Sequence, residues 1–154
     1  MKVFISYSMA ADQLVALRLQ TLAAVYGLTV YVPPATTRQT ADPELSEEVR
    51  GKLGESDVVL AVMMRNPAAS AVSEMNWALA TGKLMIPIVS PSVSPDYYRR
   101  FQPFFMLNSA DPSQTEGEIV NFLAEKQQTE RSKTALLALT TLALGLILFS
   151  SDSK

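Results

Sequence analysis

Cysteine and histidine are both absent from the 154 residues, and their absence removes a broad block of chemistry. Without them there is no disulfide, thiolate nucleophile, imidazole base, Ser-His-Asp triad or ordinary zinc site. Any catalysis has to run on carboxylates, hydroxyls, lysine, arginine and backbone dipoles, and no metal site is expected. The lack of cysteine also fits a reducing compartment. Glycine is scarce at six residues, and neither G-x-G-x-x-G nor G-x-x-x-x-G-K-[ST] occurs among them. The common phosphate-cradling loops of Rossmann dehydrogenases and P-loop enzymes are thereby excluded. Charge is thin as well. Thirteen basic against fifteen acidic residues give a formal charge of −2, with no basic run to track a phosphate backbone, so nucleic acid is not expected as a partner.

What the chain does have is apolar sequence in organised pieces. Its hydrophobic content is 48% against 18% charged residues, enough for one domain with a core and a short appendage. Lys2 to Tyr7 reads as a strand. Asp12 then opens a helix through Leu14, Val15, Leu17, Leu19, Leu22 and Val25, closed by Gly27. Residues Leu28 to Val32 form a second strand stopped by Pro33 and Pro34, and Ala35 to Asp42 a polar loop. Pro43 behind Asp42 suits a helix start, and Leu45, Val49 and Leu53 repeat at helical spacing before Gly54. The runs Val58 to Met63 and Leu84 to Val89 read as buried parallel strands, with a helix between them. A short strand at Phe104 to Leu107 and a helix from Ser113 to Gln127, with Ile119, Val120, Phe122 and Leu123 inward, complete the pattern. Five strands alternating with helices predict an α/β fold, a flavodoxin-like doubly wound parallel sheet, over residues 1–127.

Glu74 is the only acidic side chain between Val58 and Pro95. It lies on the helix between the third and fourth strands, near the carboxyl edge where open α/β sheets bind ligands. Ser6, Tyr7 and Ser8 after strand one, and Tyr31 with the loop that contains Arg38 after strand two, converge on the same edge. Glu74 also has a plain structural account, as a first-turn carboxylate favoured by the helix dipole. Trp77, at helical spacing with Val72, Met75 and Leu79, is expected to pack.

The amino terminus has too brief an apolar run for a secretory signal. Residues 134–151 hold 18 residues without a charge, which as a helix span roughly 27 Å, close to the hydrocarbon thickness of a bilayer. A single-pass transmembrane helix is expected there, joined through the polar stretch 128–133. Lys126, Arg131 and Lys133 before it place the globular domain on the cytoplasmic side of the membrane. A hydrophobic helix that docks on the domain or on a sister chain is the alternative.

Taken together, several pieces resemble the Toll/interleukin receptor (TIR) family. Lys2-Val-Phe-Ile-Ser-Tyr-Ser8 followed by Asp12 is similar to its opening strand and helix, Gly27-Leu-Thr-Val-Tyr-Val32 to its second strand, and Ser56-Asp-Val-Val-Leu-Ala-Val62 to its third. Ser73-Glu-Met-Asn-Trp-Ala78 and Gly82-Lys-Leu-Met-Ile-Pro-Ile-Val89 are similar to its catalytic-glutamate helix and fourth strand. The resemblance covers about residues 1–125. It implies the TIR fold and an NAD+ glycohydrolase or cyclase that cleaves the nicotinamide-ribose bond. Glu74 would be catalytic, and Ser6, Tyr7, Ser8, Tyr31 and Arg38 would bind substrate. NAD is then a substrate, no cofactor is needed, and TIR domains self-associate in a membrane-tethered signalling or defence effector. One carboxylate suffices in principle, because nicotinamide leaves as a neutral base. Ser70 stands where many enzymatic members carry tryptophan, and the loop after Tyr31 lacks glycine. Those departures favour a non-catalytic scaffold for homotypic assembly. A nucleoside deoxyribosyltransferase is the other alternative.

Overall fold

The computed structural model describes residues 1–38 and 44–151, with side chains up to residue 36 and from 44 to 139. Five parallel strands form one sheet: β1 (Lys2–Tyr7), β2 (Thr29–Tyr31), β3 (Val58–Met63), β4 (Leu84–Val89) and β5 (Phe105–Met106). Their order is β2-β1-β3-β4-β5, the flavodoxin-like doubly wound arrangement expected from the sequence. β3 is buried at every position and β1 at all but Lys2, because helices cover both faces of a parallel sheet and leave no solvent side.

The helices are α1 (Ala10–Val25), α2 (Glu47–Glu55), α3 (Ala69–Ala80) and α4 (Pro112–Ser151). α1 packs on β1, β2 and β3, and α3 on β1, β3 and β4. Gly27 (φ 69°) and Gly82 (φ 70°) end α1 and α3 in the left-handed conformation, which a side chain would strain. Each lets a helix turn straight back into a strand. Ser46 starts α2 by accepting the Val49 N–H at 3.2 Å, so that helix begins at Glu47; Asp42 and Pro43, expected to start it, lie outside the described residues. Lys83 closes the other end of α2, donating to the Gly54 and Ser56 carbonyls at 2.8 and 2.7 Å.

One core cluster gathers Phe4, Val59, Ala61, Met63, Met85 and Val89 from the sheet with Val49 and Leu53 of α2 and Met75 and Ala78 of α3. Trp77 packs against it, as expected. α1 differs from expectation. It buries Asp12, Ala16, Leu19 and Ala23, leaving Leu14, Leu17, Leu22 and Val25 exposed. Ala16, Leu19 and Ala23 form the apolar part of the buried face, in place of the other leucines and the valine expected there.

The chain divides into two compact units, one of residues Met1–Val120 and another starting at Asn121. α4 is a single helix through the polar stretch 128–133, which contains neither glycine nor proline to stop it. The expected transmembrane helix over 134–151 and the membrane localisation with a cytoplasmic domain require correction. Among the described residues no helix is long and apolar enough to cross a membrane.

Candidate functional site

The strand order reverses direction between β1 and β3, since α1 leads from β1 outward to β2 while α3 leads from β3 to β4. At such a switch point the two loops part and leave a crevice beyond the carboxyl ends of the strands. β1 ends there in Ser6-Tyr7-Ser8, and β3 in Met63 followed by Met64, Arg65 and Asn66.

Side chains alternate along β1, so Phe4, Ser6 and Ser8 share one face and Tyr7 takes the other. Ser6 Oγ donates to Glu74 Oε2 at 2.5 Å, across from β1 to α3. Its neighbour across the sheet is Ala61, whose small side chain leaves room for the glutamate. Glu74 is 1% exposed and Ser6 1%. Ser8 Oγ accepts the Ala68 N–H at 2.9 Å, which ties the end of β1 to the start of α3. Structure and sequence therefore agree in bringing Ser6, Ser8 and Glu74 together.

Tyr7 and Tyr31 stand elsewhere. Tyr7 is fully buried, and its hydroxyl donates to the Pro33 carbonyl at 2.6 Å, pinning the segment after β2. The Tyr31 hydroxyl donates to Glu48 at 3.0 Å. Its ring lies 5.6 Å from that of Phe4 and 5.7 Å from the Lys52 ammonium, so it serves the junction with α2. Arg38 ends a 3-10 turn, Ala35–Arg38, and its side chain lies outside the described residues.

Asp12 lies among residues of both switch-point loops, although the sequence marked it only as a helix start. It is wholly buried. Oδ2 accepts the Met9 N–H at 3.1 Å, whereas Oδ1 is buried with no hydrogen-bond partner among the described residues. Burial pushes its carboxyl above the ordinary aspartate range, against the pull of the Met9 and Ser8 backbone, the Arg65 charge and the Met64 backbone. Those neighbours come from both loops of the switch point, so the carboxylate sits between them. No sequence periodicity distinguishes such a residue from a first-turn acid favoured by the helix dipole. Asn66 Oδ1 accepts the Ser94 N–H at 2.9 Å, and Ser92 Oγ donates to the Met64 carbonyl at 2.9 Å. These bonds fix the second loop against the segment after β4. Among the described residues no cluster of acidic side chains could hold a metal ion.

Comparison with known proteins assigns no family, since no family model and no curated protein matches the chain. Among solved structures it is similar to a crystal structure titled "Putative quinone reductase from Klebsiella pneumoniae", with a TM-score of 0.47 and 16% identity over 84% of each chain. That name belongs to the neighbour. The expected TIR-type NAD+ glycohydrolase, its scaffold and deoxyribosyltransferase alternatives, and the expectation of NAD as substrate with no cofactor are corrected: no family model and no curated protein carries them. Geometry adds a physical reason. The Glu74 carboxylate is enclosed and receives the Ser6 hydroxyl rather than being presented to a sugar.

Proposed function

We propose that the chain is a binding module of TIR-like type whose switch-point crevice takes a small ligand rich in hydroxyl donors, such as a sugar or nucleoside. No bond cleavage is assigned to it. The TIR-like assignment is supported by the order of the sequence pieces from Lys2 to Val89 and by their agreement with the strands and helices at those positions. The observation that carries the ligand is Asp12 Oδ1, a buried acceptor with no hydrogen-bond partner of normal geometry among the described residues, at the end of the sheet where ligands bind. An acceptor withheld from water costs about 1–3 kcal/mol, more for a charged one, which is a poor arrangement for stability alone. A ligand hydroxyl entering between Met9 and Arg65, both exposed, supplies the missing donor. Ser8 and Glu74 hold the walls.

Calorimetric titration of the full chain with adenosine and with 2′,3′-dideoxyadenosine tests this. Adenosine should bind and the dideoxy compound should bind at least about tenfold more weakly, which is ~1.4 kcal/mol. Asp12→Asn should remove that preference, because its amide presents donors. Equal affinities for the two compounds, or a preference that survives Asp12→Asn, refutes the assignment.

A further inference from the structure

A second buried carboxylate with an unmatched oxygen lies far from β1's carboxyl end in sequence, on the first turns of α4. Glu116 is 1% exposed. Oε2 receives Arg18 Nη2 at 2.9 Å, while Oε1 is buried with no partner among the described residues. The same residues border a cavity of about 460 Å³ lined by Leu17, Arg18, Thr21, Leu22, Ser113, Glu116 and Gly117. That volume falls within the roughly 300–1,000 Å³ of small-molecule sites. Leu17 and Leu22 are two of the leucines α1 leaves exposed, so the cavity has an apolar wall and a carboxylate at one side. A buried unmatched acceptor and an apolar cavity at the same residues are independent observations.

Charge decides the class of ligand. The Arg18 guanidinium already compensates Glu116, and the amino end of α4 adds positive potential. A second cation at Oε1 would be repelled, and an anion would meet the carboxylate. A neutral donor suits both. We propose that the groove between α1 and the start of α4 binds a neutral, largely apolar small molecule with one hydrogen-bond donor, of the kind an indole or a phenol presents. Its ring packs on Leu17 and Leu22 and its N–H or O–H donates to Glu116 Oε1. Arg18 is the wall that gives way to admit it, since its side chain is 45% exposed and its bond to Ser113 Oγ is long at 3.4 Å.

Titration of the full chain with indole and 1-methylindole separates this site from a sticky surface. Indole should bind at least about tenfold more tightly than 1-methylindole, which keeps the ring system but carries a methyl group in place of the donor hydrogen. In Glu116→Gln the single amide oxygen stays with Arg18 and the NH2 group turns toward the ligand, so the preference for indole should vanish. Leu17→Trp, at a position already exposed, should fill the groove and abolish binding of both compounds, with circular dichroism confirming the fold. Absence of indole binding, equal affinity for the two compounds in the unaltered protein, or undiminished binding in Leu17→Trp overturns the proposal. Adenosine bound with unchanged affinity in Leu17→Trp keeps this test separate from the crevice at Asp12.

Discussion

Glu74 and Glu116 are equally buried, each 1% exposed, yet the protein accommodates them in different ways. Glu74 meets a neutral hydroxyl from the adjacent strand. Glu116 meets a guanidinium reaching from another helix. A hydroxyl donor comes with little desolvation cost, whereas a cation compensates the charge and has to be ordered on a long side chain. The first solution is placed among rigid strands, where position is fixed to within the packing of the core. The second sits at a half-open groove, where one partner can swing away. The difference predicts that the two carboxylates respond in opposite fashion to loss of shape and loss of charge.

Glu74→Ala should give the largest effect. It removes packing in the core and strands the Ser6 hydroxyl, and a loss of about 2–4 kcal/mol in urea denaturation is expected. Glu74→Gln keeps both volume and acceptor, so its cost should stay below about 1 kcal/mol. Equal losses in the two variants would mean that charge rather than shape holds the Ser6 contact, and the contrast with Glu116 would fail.

Next in size is Arg18→Met. The substitution keeps most of the aliphatic length and takes away the only cation the Glu116 carboxylate touches among the described residues. Breaking a buried pair from one side costs about 3–5 kcal/mol, and the half-exposed arginine reduces this, because solvent already screens it, to about 1–2 kcal/mol. The double variant Arg18→Met with Glu116→Leu should recover most of the loss. Failure of the double variant to recover it would show that the groove is held by something other than the pair.

How far these places were legible in the sequence follows from the kind of signal each leaves. β3 and β4 stand where the uninterrupted apolar runs put them, because a strand buried on both faces needs such a run. The meeting of Ser6, Ser8 and Glu74 was visible too, since the carboxyl ends of neighbouring parallel strands converge by topology alone. The face of α1 was not visible. Leucine, valine and alanine surround that helix, and no period tells that Ala16 and Ala23 rather than Leu14 and Leu22 approach the sheet. Asp12 and Glu116 were hidden for a related reason: an acid near the start of a helix reads as favoured by the helix dipole, and only the packed tertiary structure shows an oxygen closed off from water. Tyr31 ends its strand as expected, but the length of its side chain carries the hydroxyl over to α2. In the tail, the polar residues 128–133 looked like a junction, and an amphipathic break needs a helix stop that those residues do not supply.

The smallest effects come from the pH dependence of two further carboxylates, and here the comparison turns on sign. The Asp12 carboxyl is raised by burial, so between its unfolded and its folded pKa the native state holds the extra proton, and stability falls as pH rises through that window. Above the folded value the penalty is present in full. Asp12→Asn should remove it, giving a melting temperature that exceeds the unaltered protein's at neutral pH and loses that advantage in acid. Glu55 behaves in the opposite sense. Its carboxyl is lowered by the Lys2 hydrogen bond and charge, then by Lys52, so its contribution is present above the unfolded pKa and is lost as pH falls through the folded one. Both members of the Lys2–Glu55 pair are 55% exposed at 3.1 Å, and salt screens such a pair almost completely. Glu55→Gln should therefore leave the melting curve unchanged at high ionic strength and flatten its acid limb only slightly at low. A melting profile of Asp12→Asn that keeps the unaltered protein's downward slope with rising pH would show that the buried oxygen is not the group that titrates.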